Sequence, residues 1–292
     1  MSSDSYKSFA VVGAGPTIGL PIIQAWVYVQ PLQFLLERNA SVIVLTRPSS
    51  SKDLPHGAKL VAVDYSDVDV ISSVLRQHSV DVLVSTLNGE GGLLSQYLLS
   101  DAAKAAGVKL FVPSEFGMPT NDSMWGLKNR VAVHAKTIGL PTLRLFIGSF
   151  SEGVPWLSTV DQTGKFLILG KGETYISFTA IPDIAAYLAY VLTALPPTQL
   201  NDTILRIEGD RATLREIGAL YEGKAPVEFV DSIPHDTLFA QIKEDILKRY
   251  ELGAGSTGWD HTTNKDSPEL AGEANKLYPE FKWKSVKETL GL

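Results

Sequence analysis

The stretch FAVVGAGPTIGLPI, residues 9–22, decides the fold, because an apolar run there meets three glycines. Three uses of these glycines compete: a tight surface turn, close packing of a helix on a strand, or room for a phosphate group. They are Gly13, Gly15 and Gly19, in the spacing Gly-x-Gly-x-x-x-Gly. The sequence that follows them distinguishes between the three uses.

Short apolar runs alternate with segments of helical periodicity over the first 150 residues. The runs are SVIVLT, KLVAVD, VDVLVST, VKLFVPS and TLRLFIGS, and the helical segments include DVDVISSVLRQHS and LLSQYLLSDAAKAAG. Strands that read as continuous apolar runs are typical of a parallel sheet with helices on both faces. The sequence therefore predicts an α/β fold, with a doubly wound Rossmann domain over residues 1–150.

The alternation stops after about residue 150, where Gly and Pro punctuate the chain and three further helices are predicted. Their sequences are IPDIAAYLAYVLTAL, TLREIGALYEG and HDTLFAQIKEDILKRYE. We predict a smaller substrate-binding lobe over residues 151–292, some segments of which are free to return to the sheet. Residues 254–269 are expected to form a mobile loop, because Trp259 is their only apolar anchor.

Composition and charge exclude several function classes. The 292 residues carry a formal net charge of −6 with no dense Lys/Arg stretch, so we expect neither a nucleic-acid partner nor a membrane partner. The chain has no cysteine and five scattered histidines, which predicts no disulfide, thiolate or metal site. A polar N-terminus and short apolar runs indicate a cytoplasmic protein.

The glycines lie where the first predicted strand turns into the first helix, and helix N-terminal amides at this place face a dinucleotide pyrophosphate. Room for a phosphate is therefore the preferred use, with a packing turn as the alternative. Pro16 stands where many short-chain dehydrogenases have the middle glycine, and proline has no N–H to offer. We expect the amides of Thr17 and Ile18 to bind the phosphate instead.

The second predicted strand indicates which dinucleotide binds. SVIVLTRPSSSK ends in Thr46 and Arg47, with no Asp or Glu to bind an unphosphorylated ribose. Arg47 is therefore expected to pair with a 2′-phosphate, with Lys52 as a second contact, and NADP(H) is favoured over NAD(H). The alternative for Arg47 is an exposed strand-end arginine without a ligand.

Four segments carry a family resemblance over the whole chain. They are FVPSEFGM (111–118), WGLKNRVAVHAKTIGLPTLRLFIGSF (125–150), YISFTAIPDIAAYLAYVLT (175–193) and LYPEFKWKSVKETL (277–290). The chain resembles the NmrA-like, isoflavone-reductase-like atypical short-chain dehydrogenases. That group includes the isoflavone, pinoresinol-lariciresinol and phenylcoumaran benzylic ether reductases.

The resemblance implies a site after the fifth strand. The family's Pro-Ser-Glu-Phe-Gly turn and aromatic-x-x-Lys motif match residues 113–117 and 125–128, which implies that Lys128 is the catalytic lysine. The chain departs from the family at Ala132, where a basic residue is usual, and Arg130 is the nearest replacement. Predicted cofactor contacts beyond the glycine loop are Thr86, Leu87, Pro113, Ser114, Glu115, Phe116, Lys128 and Phe150, the last beside the nicotinamide.

A lysine at this place suits the chemistry of hydride transfer. Reduction of a carbonyl or an activated double bond builds negative charge on an oxygen, which an ammonium can stabilise and protonate. Action as a base requires the lysine pKa to fall from about 10.4 toward 7. The alternative for Lys128 is an ordinary surface lysine.

Two function classes follow from these features. The preferred hypothesis is an NADPH-dependent reductase of a small aromatic or enone-like substrate. The alternative is a non-catalytic NADP(H) sensor of the NmrA-like kind, which regulates a partner protein and has no need of Lys128. Association into a homodimer is left open.

Overall fold

The computed structural model describes residues 5–13, 35, 37–47, 59–119 and 126–292. Its central sheet consists of β1 (Ser8–Val12), β2 (Ser41–Thr46), β3 (Lys59–Ala62), β4 (Val82–Ser85) and β5 (Leu110–Val112). All neighbouring pairs are parallel, and the order is β3-β2-β1-β4-β5. Phe9 of β1 is in register with Val42 on one side and Val82 on the other. The strand order therefore reverses between β1 and β4.

Three helices connect the later strands: α1 (Val68–Gln77), α2 (Gly89–Ala106) and α3 (Gly126–Thr137). The Asp67 carboxylate caps α1 by accepting from the Val70 amide, and α2 ends at Gly107, which has the left-handed conformation common at helix C-termini. One apolar cluster joins all three helices to the sheet through side chains that include Ile71, Leu99 and Val131.

Both faces of the sheet are covered. Phe9, Ala10, Val11 and Val12 are successive residues of β1, and each is fully buried. Because successive side chains of a strand point to opposite faces, burial of all four requires packing on both sides. The predicted doubly wound parallel sheet is confirmed.

The chain packs as two compact units whose segments interleave. The first takes the described residues of Met1–Glu115, Thr120–Leu145 and Ile184–Leu205, and the second takes Phe116–Pro119, Phe146–Asp183 and Arg206–Leu292. A domain boundary at residue 150 stays a prediction. By packing, residues 184–205 belong to the first unit.

The first unit extends its sheet with β6 (Leu143–Phe146), which a bridge between Phe111 and Thr142 places beside β5. β6 pairs with β10 (Thr203–Arg206), and the last residue of each strand, Phe146 and Arg206, is assigned to the second unit. Helix α6 (Ile181–Ala194) leads into residues 197–199, which form a single turn of 3₁₀ helix.

The second unit contains short strands and helices around its own apolar cluster. Its strands are β7 (Ser149–Phe150), β8 (Phe166–Leu169), β9 (Tyr175–Thr179), β11 (Asp210–Thr213), β12 (Val227–Val230), β13 (Trp259–Asp260) and β14 (Lys265–Asp266). Its helices are α4 (Val154–Leu157), α5 (Val160–Thr163), α7 (Leu214–Ala219), α8 (Ala240–Glu251) and α9 (Val286–Leu290), with 3₁₀ turns at 151–153 and 273–277.

The loop expected over residues 254–269 has a definite structure. It contains the antiparallel pair of β13 and β14, and the Thr257 amide donates to Ser177 Oγ at 2.9 Å. Arg211 Nη2 lies 2.5 Å from Asp266 Oδ2. Polar side chains from β9 and β11 thus anchor the segment where apolar anchors are missing. Its mobility stays a prediction.

Among the helices of the described ranges, none is both long and apolar enough to span a bilayer.

Candidate functional site

The ends of β1 and β4 approach each other closely at Gly13. This residue has φ +123°, and a Cβ atom here would lie 2.9 Å from the carbonyl carbon of Thr86. The Thr86 amide and hydroxyl both donate to the Val12 carbonyl, at 2.8 and 2.9 Å. Gly13 therefore occupies a place that admits only glycine, at the point where the strand order reverses and such sheets bind their ligands.

The rest of the predicted phosphate loop lies outside the described residues, so its contacts stay predictions. The positions concerned are Gly15, Pro16, Thr17, Ile18 and Gly19. The same holds for Lys52 and for Trp125, the aromatic residue of the lysine motif.

Tyr65 is a residue of this edge that the sequence analysis missed. Its hydroxyl donates to the Leu45 carbonyl at 2.9 Å and accepts from the Gly13 amide, so it joins the ends of β1 and β2. Burial raises the pKa of Tyr65 to about 12, while the nearby Arg47 guanidinium and the Gly13 amide oppose that rise. Arg47 itself is exposed just after β2. Tyrosine three residues past a strand carries no motif that could have signalled this contact.

Asp64 lies shortly after β3 but does not cap α1. Its carboxylate accepts from the Ser66 amide at 2.9 Å, which makes a local turn, and Asp67 caps α1 instead. These bonds, chiefly the one from the Ser66 amide, hold the pKa of Asp64 below its usual value.

A side chain of α2 holds the turn after β5 by a hydrogen bond. The Ser114 amide donates to Gln96 Oε1 at 2.8 Å, and both residues are buried. The Glu115 amide donates to the Pro113 carbonyl at 2.8 Å, and Phe116 follows with a φ of +30°. A buried side-chain acceptor and a strained backbone residue make this turn a fixed feature of the fold. Leu87, another predicted contact, is buried after β4.

Lys128 lies in the first turn of α3 and is buried, with 9% of the residue exposed. Its ammonium donates a hydrogen bond to the Glu115 carbonyl, which ties α3 to the turn after β5. Burial lowers the pKa of Lys128; the Glu115 carboxylate acts in the opposite direction, and the Arg144 guanidinium lowers the pKa further. Lys128 is thus not the ordinary surface lysine of the alternative hypothesis.

The structure gives the surroundings of four other residues of the segment 125–150 that contains Lys128. His134 Nε2 lies 2.7 Å from Asp101 Oδ1 of α2, well along α3 from Lys128. Arg130 is exposed, and Ala132 is buried. Phe150 belongs to β7 of the second unit, where it pairs with Thr179. Its predicted contact with the nicotinamide stays a prediction.

Comparison with known proteins places these features in one family. The model of the NmrA-like family matches residues 6–290. The chain is 28% identical to the phenylcoumaran benzylic ether reductase Pyrc5 of Pyrus communis over 99% of both chains. It is 30% identical to the isoflavone reductase homolog IRL of Zea mays over 77% of this chain and 78% of that one.

The fold agrees with that assignment. The leucoanthocyanidin reductase of Vitis vinifera, solved in a binary complex with NADPH, superposes with a TM-score of 0.77 at 21% identity. The match covers 97% of this chain and 98% of the other. The resemblance predicted from the sequence is confirmed, and the chain belongs to the NmrA-like family.

Proposed function

We propose that this protein is an NADPH-dependent reductase of a small aromatic or enone-like molecule, in which Lys128 assists proton transfer. The observation that carries the proposal is the burial of Lys128 at the carboxyl edge of the sheet, with its ammonium held by the Glu115 carbonyl. The relatives named as phenylcoumaran benzylic ether reductase and isoflavone reductase homolog support a reductase.

The described residues of the sheet edge fit NADP(H). Gly13 leaves the space that a Cβ atom would fill, at the reversal point of the strand order. Arg47 is exposed after β2, where its guanidinium can pair with a 2′-phosphate. When bound, NADPH supplies the hydride.

Lys128 holds and moves the proton. Hydride arrival at carbon leaves negative charge on the substrate oxygen, and the ammonium of Lys128 stabilises that charge and gives up a proton to it. The lowered pKa makes this transfer less costly than for an ordinary lysine. The neutral amine that remains is able to take a proton from solvent, or from a phenolic substrate where the reaction needs a base.

The test is NADPH consumption with a panel of enones, quinone methides and aromatic ketones. We expect Lys128→Ala to lower kcat by about 10²- to 10⁴-fold, the usual worth of a positioned acid or base, while the Kd for NADPH stays nearly unchanged. Lys136→Ala is the matched control, because Lys136 is exposed at the other end of α3. Full activity in Lys128→Ala contradicts the mechanism. A wild type that binds NADPH and turns over no member of the panel favours the NADP(H) sensor.

The pH dependence of kcat distinguishes the two roles of the lysine. Because burial lowers the pKa of Lys128, its ammonium gives up its proton at a pH lower than the 10.5 of an ordinary lysine. As a proton donor the enzyme loses activity as the pH rises through that lowered pKa, and as a base it gains activity over the same range. A kcat that is level at every pH below 10.5 at which the enzyme stays folded would contradict both roles.

A further inference from the structure

Arg144 of β6 bridges two residues that adjoin Lys128. Its Nε atom lies 2.6 Å from Glu115 Oε1, and its Nη1 atom donates to Asn129 Oδ1 at 3.0 Å. The Glu115 side chain is 2% exposed and that of Arg144 is 16% exposed, so the ion pair is largely shielded from water. Shielded pairs of this kind are held in one geometry more firmly than surface pairs.

Both partners of Arg144 are connected directly to Lys128. Glu115 supplies the carbonyl that accepts the Lys128 hydrogen bond, and Asn129 follows Lys128 in the first turn of α3. One guanidinium therefore joins β6, the turn after β5 and the start of α3. A planar guanidinium can make both contacts at once, which an ammonium cannot do with the same geometry.

The two charged side chains near Lys128 change its pKa in opposite directions. Of the described residues, Glu115 and Arg144 are the charged groups that act on its pKa; Glu115 raises it and Arg144 lowers it, while burial lowers it more than either changes it. Helix α2, which packs on α3, contributes Asp101, and that carboxylate pairs with His134 farther along the helix. Arg144 thus offsets a buried carboxylate that would otherwise act on Lys128 alone.

We propose that Arg144 is a positioning residue for Lys128: it holds the Glu115 turn and Asn129 in place, and its pairing with the Glu115 carboxylate limits the effect of that charge on the ammonium. The proposal rests on the proposed role of Lys128 in proton transfer. Loss of Arg144 leaves the buried Glu115 carboxylate with Lys128 as its neighbouring cation, which strengthens its hold on the lysine proton. Loss of the Glu115 charge leaves Arg144 beside Lys128, which favours the neutral amine.

The test measures the Lys128 titration directly, by carbon NMR of protein labelled at the lysine Cε, with Lys128→Arg to assign the resonance. We expect Arg144→Met to raise the Lys128 pKa and Glu115→Gln to lower it, each by about one unit. The double variant should lie between the two. Arg144→Lys retains the charge and should retain most of the wild-type pKa, while it loses the bridge to Asn129.

The kinetic counterpart is a displacement of the pH profile of kcat in the same two directions. Arg206→Met is the matched control, because it removes an arginine from another arginine–glutamate pair, with Glu273, in the second unit. It should leave the Lys128 pKa unchanged. Should Arg144→Met fail to fold, Glu115→Gln carries the test, because it should lower the Lys128 pKa by itself, and a constant pKa in that variant overturns the inference.

Two results overturn the inference: a Lys128 pKa that stays constant in both single variants, or one that moves in the same direction in both. Opposite movements of the pKa, with Lys128→Ala still fully active, support the network and reject the proposed function. A strong loss of activity in Lys128→Ala, with a Lys128 pKa that stays constant in the Arg144 and Glu115 variants, supports the proposed function and rejects the role of Arg144.

Discussion

At the scale of single residues, Gly13 illustrates how one missing Cβ atom sets the distance between two strand ends. With a φ of +123° and the Thr86 backbone 2.9 Å from where a Cβ would be, any side chain is excluded by both conformation and space. The Tyr65 hydroxyl accepts a hydrogen bond from the Gly13 amide. A glycine chosen for backbone geometry thus also orders the polar groups beside the proposed cofactor.

Arg47 is expected to decide between the two nicotinamide cofactors. Arg47→Ala should weaken NADPH binding about tenfold to a hundredfold, because a charge-assisted bond to phosphate contributes roughly 1.5–3 kcal/mol, and should leave NADH binding unchanged. Tyr65→Phe should weaken both cofactors alike, since it acts on Gly13 and not on the 2′-phosphate. Titration calorimetry measures all four affinities.

Arg215→Ala is the control for loss of an exposed arginine, because Arg215 lies over Phe229 in the second unit. Equal NADPH and NADH affinities in the wild type would contradict the cofactor preference.

At the scale of secondary-structure elements, α8 contains an unusual lysine. Lys243 is fully buried, its Nζ atom lies 5.3 Å from the centre of the Trp156 ring, and it donates no hydrogen bond to any residue within the described ranges. Burial lowers the pKa of Lys243, and the charge of Asp161 opposes that change only in part. A buried position on an amphipathic helix is normally occupied by Leu or Met. The amphipathic pattern of α8 therefore does not predict that Lys243 is buried.

We expect Lys243→Met to stabilise the protein by about 1 kcal/mol at neutral pH, because it keeps the length of the side chain and removes a buried charge. An unfolded lysine with a pKa of 10.5 binds more protons than the folded one, so wild-type stability rises with pH between the lowered native pKa and 10.5. The advantage of Lys243→Met should therefore shrink as the pH rises through that window.

Denaturant unfolding at several pH values measures this difference. Lys248→Met, an exposed lysine on the same helix that pairs with Glu244, is the control and should bring no gain. A Lys243→Met variant less stable than wild type at neutral pH would mean that the contact with Trp156 outweighs the cost of burial.

At the scale of the whole molecule, each compact unit is assembled from segments far apart in the chain. Residues 184–205 pack with the first unit although residues on both sides of them belong to the second. Periodicity predicted a helix over residues 181–195, and α6 occupies Ile181–Ala194. Nothing in that periodicity states which apolar cluster the helix joins, because the same pattern of apolar residues suits either one.

The sequence by itself determined the parallel sheet, the place of Gly13 and the candidacy of Lys128. Continuous apolar strands, a glycine cluster between strand and helix, and a short motif are all local features, and local features survive in a linear pattern. They sufficed for the fold class and the family.

Only the tertiary structure decided the partners: Tyr65 on Gly13, Ser177 on Thr257, and Arg144 between Glu115 and Asn129. Arg144 and Glu115 are 29 residues apart in the sequence, one in a strand and the other in a turn. Neither segment has a sequence pattern that indicates the other. Tyrosine, serine and arginine are common residues that leave no periodic signal, and their bonds form only where folding removes the competing water. The charges that act on Lys128 are therefore a property of the fold and not of any segment of the chain.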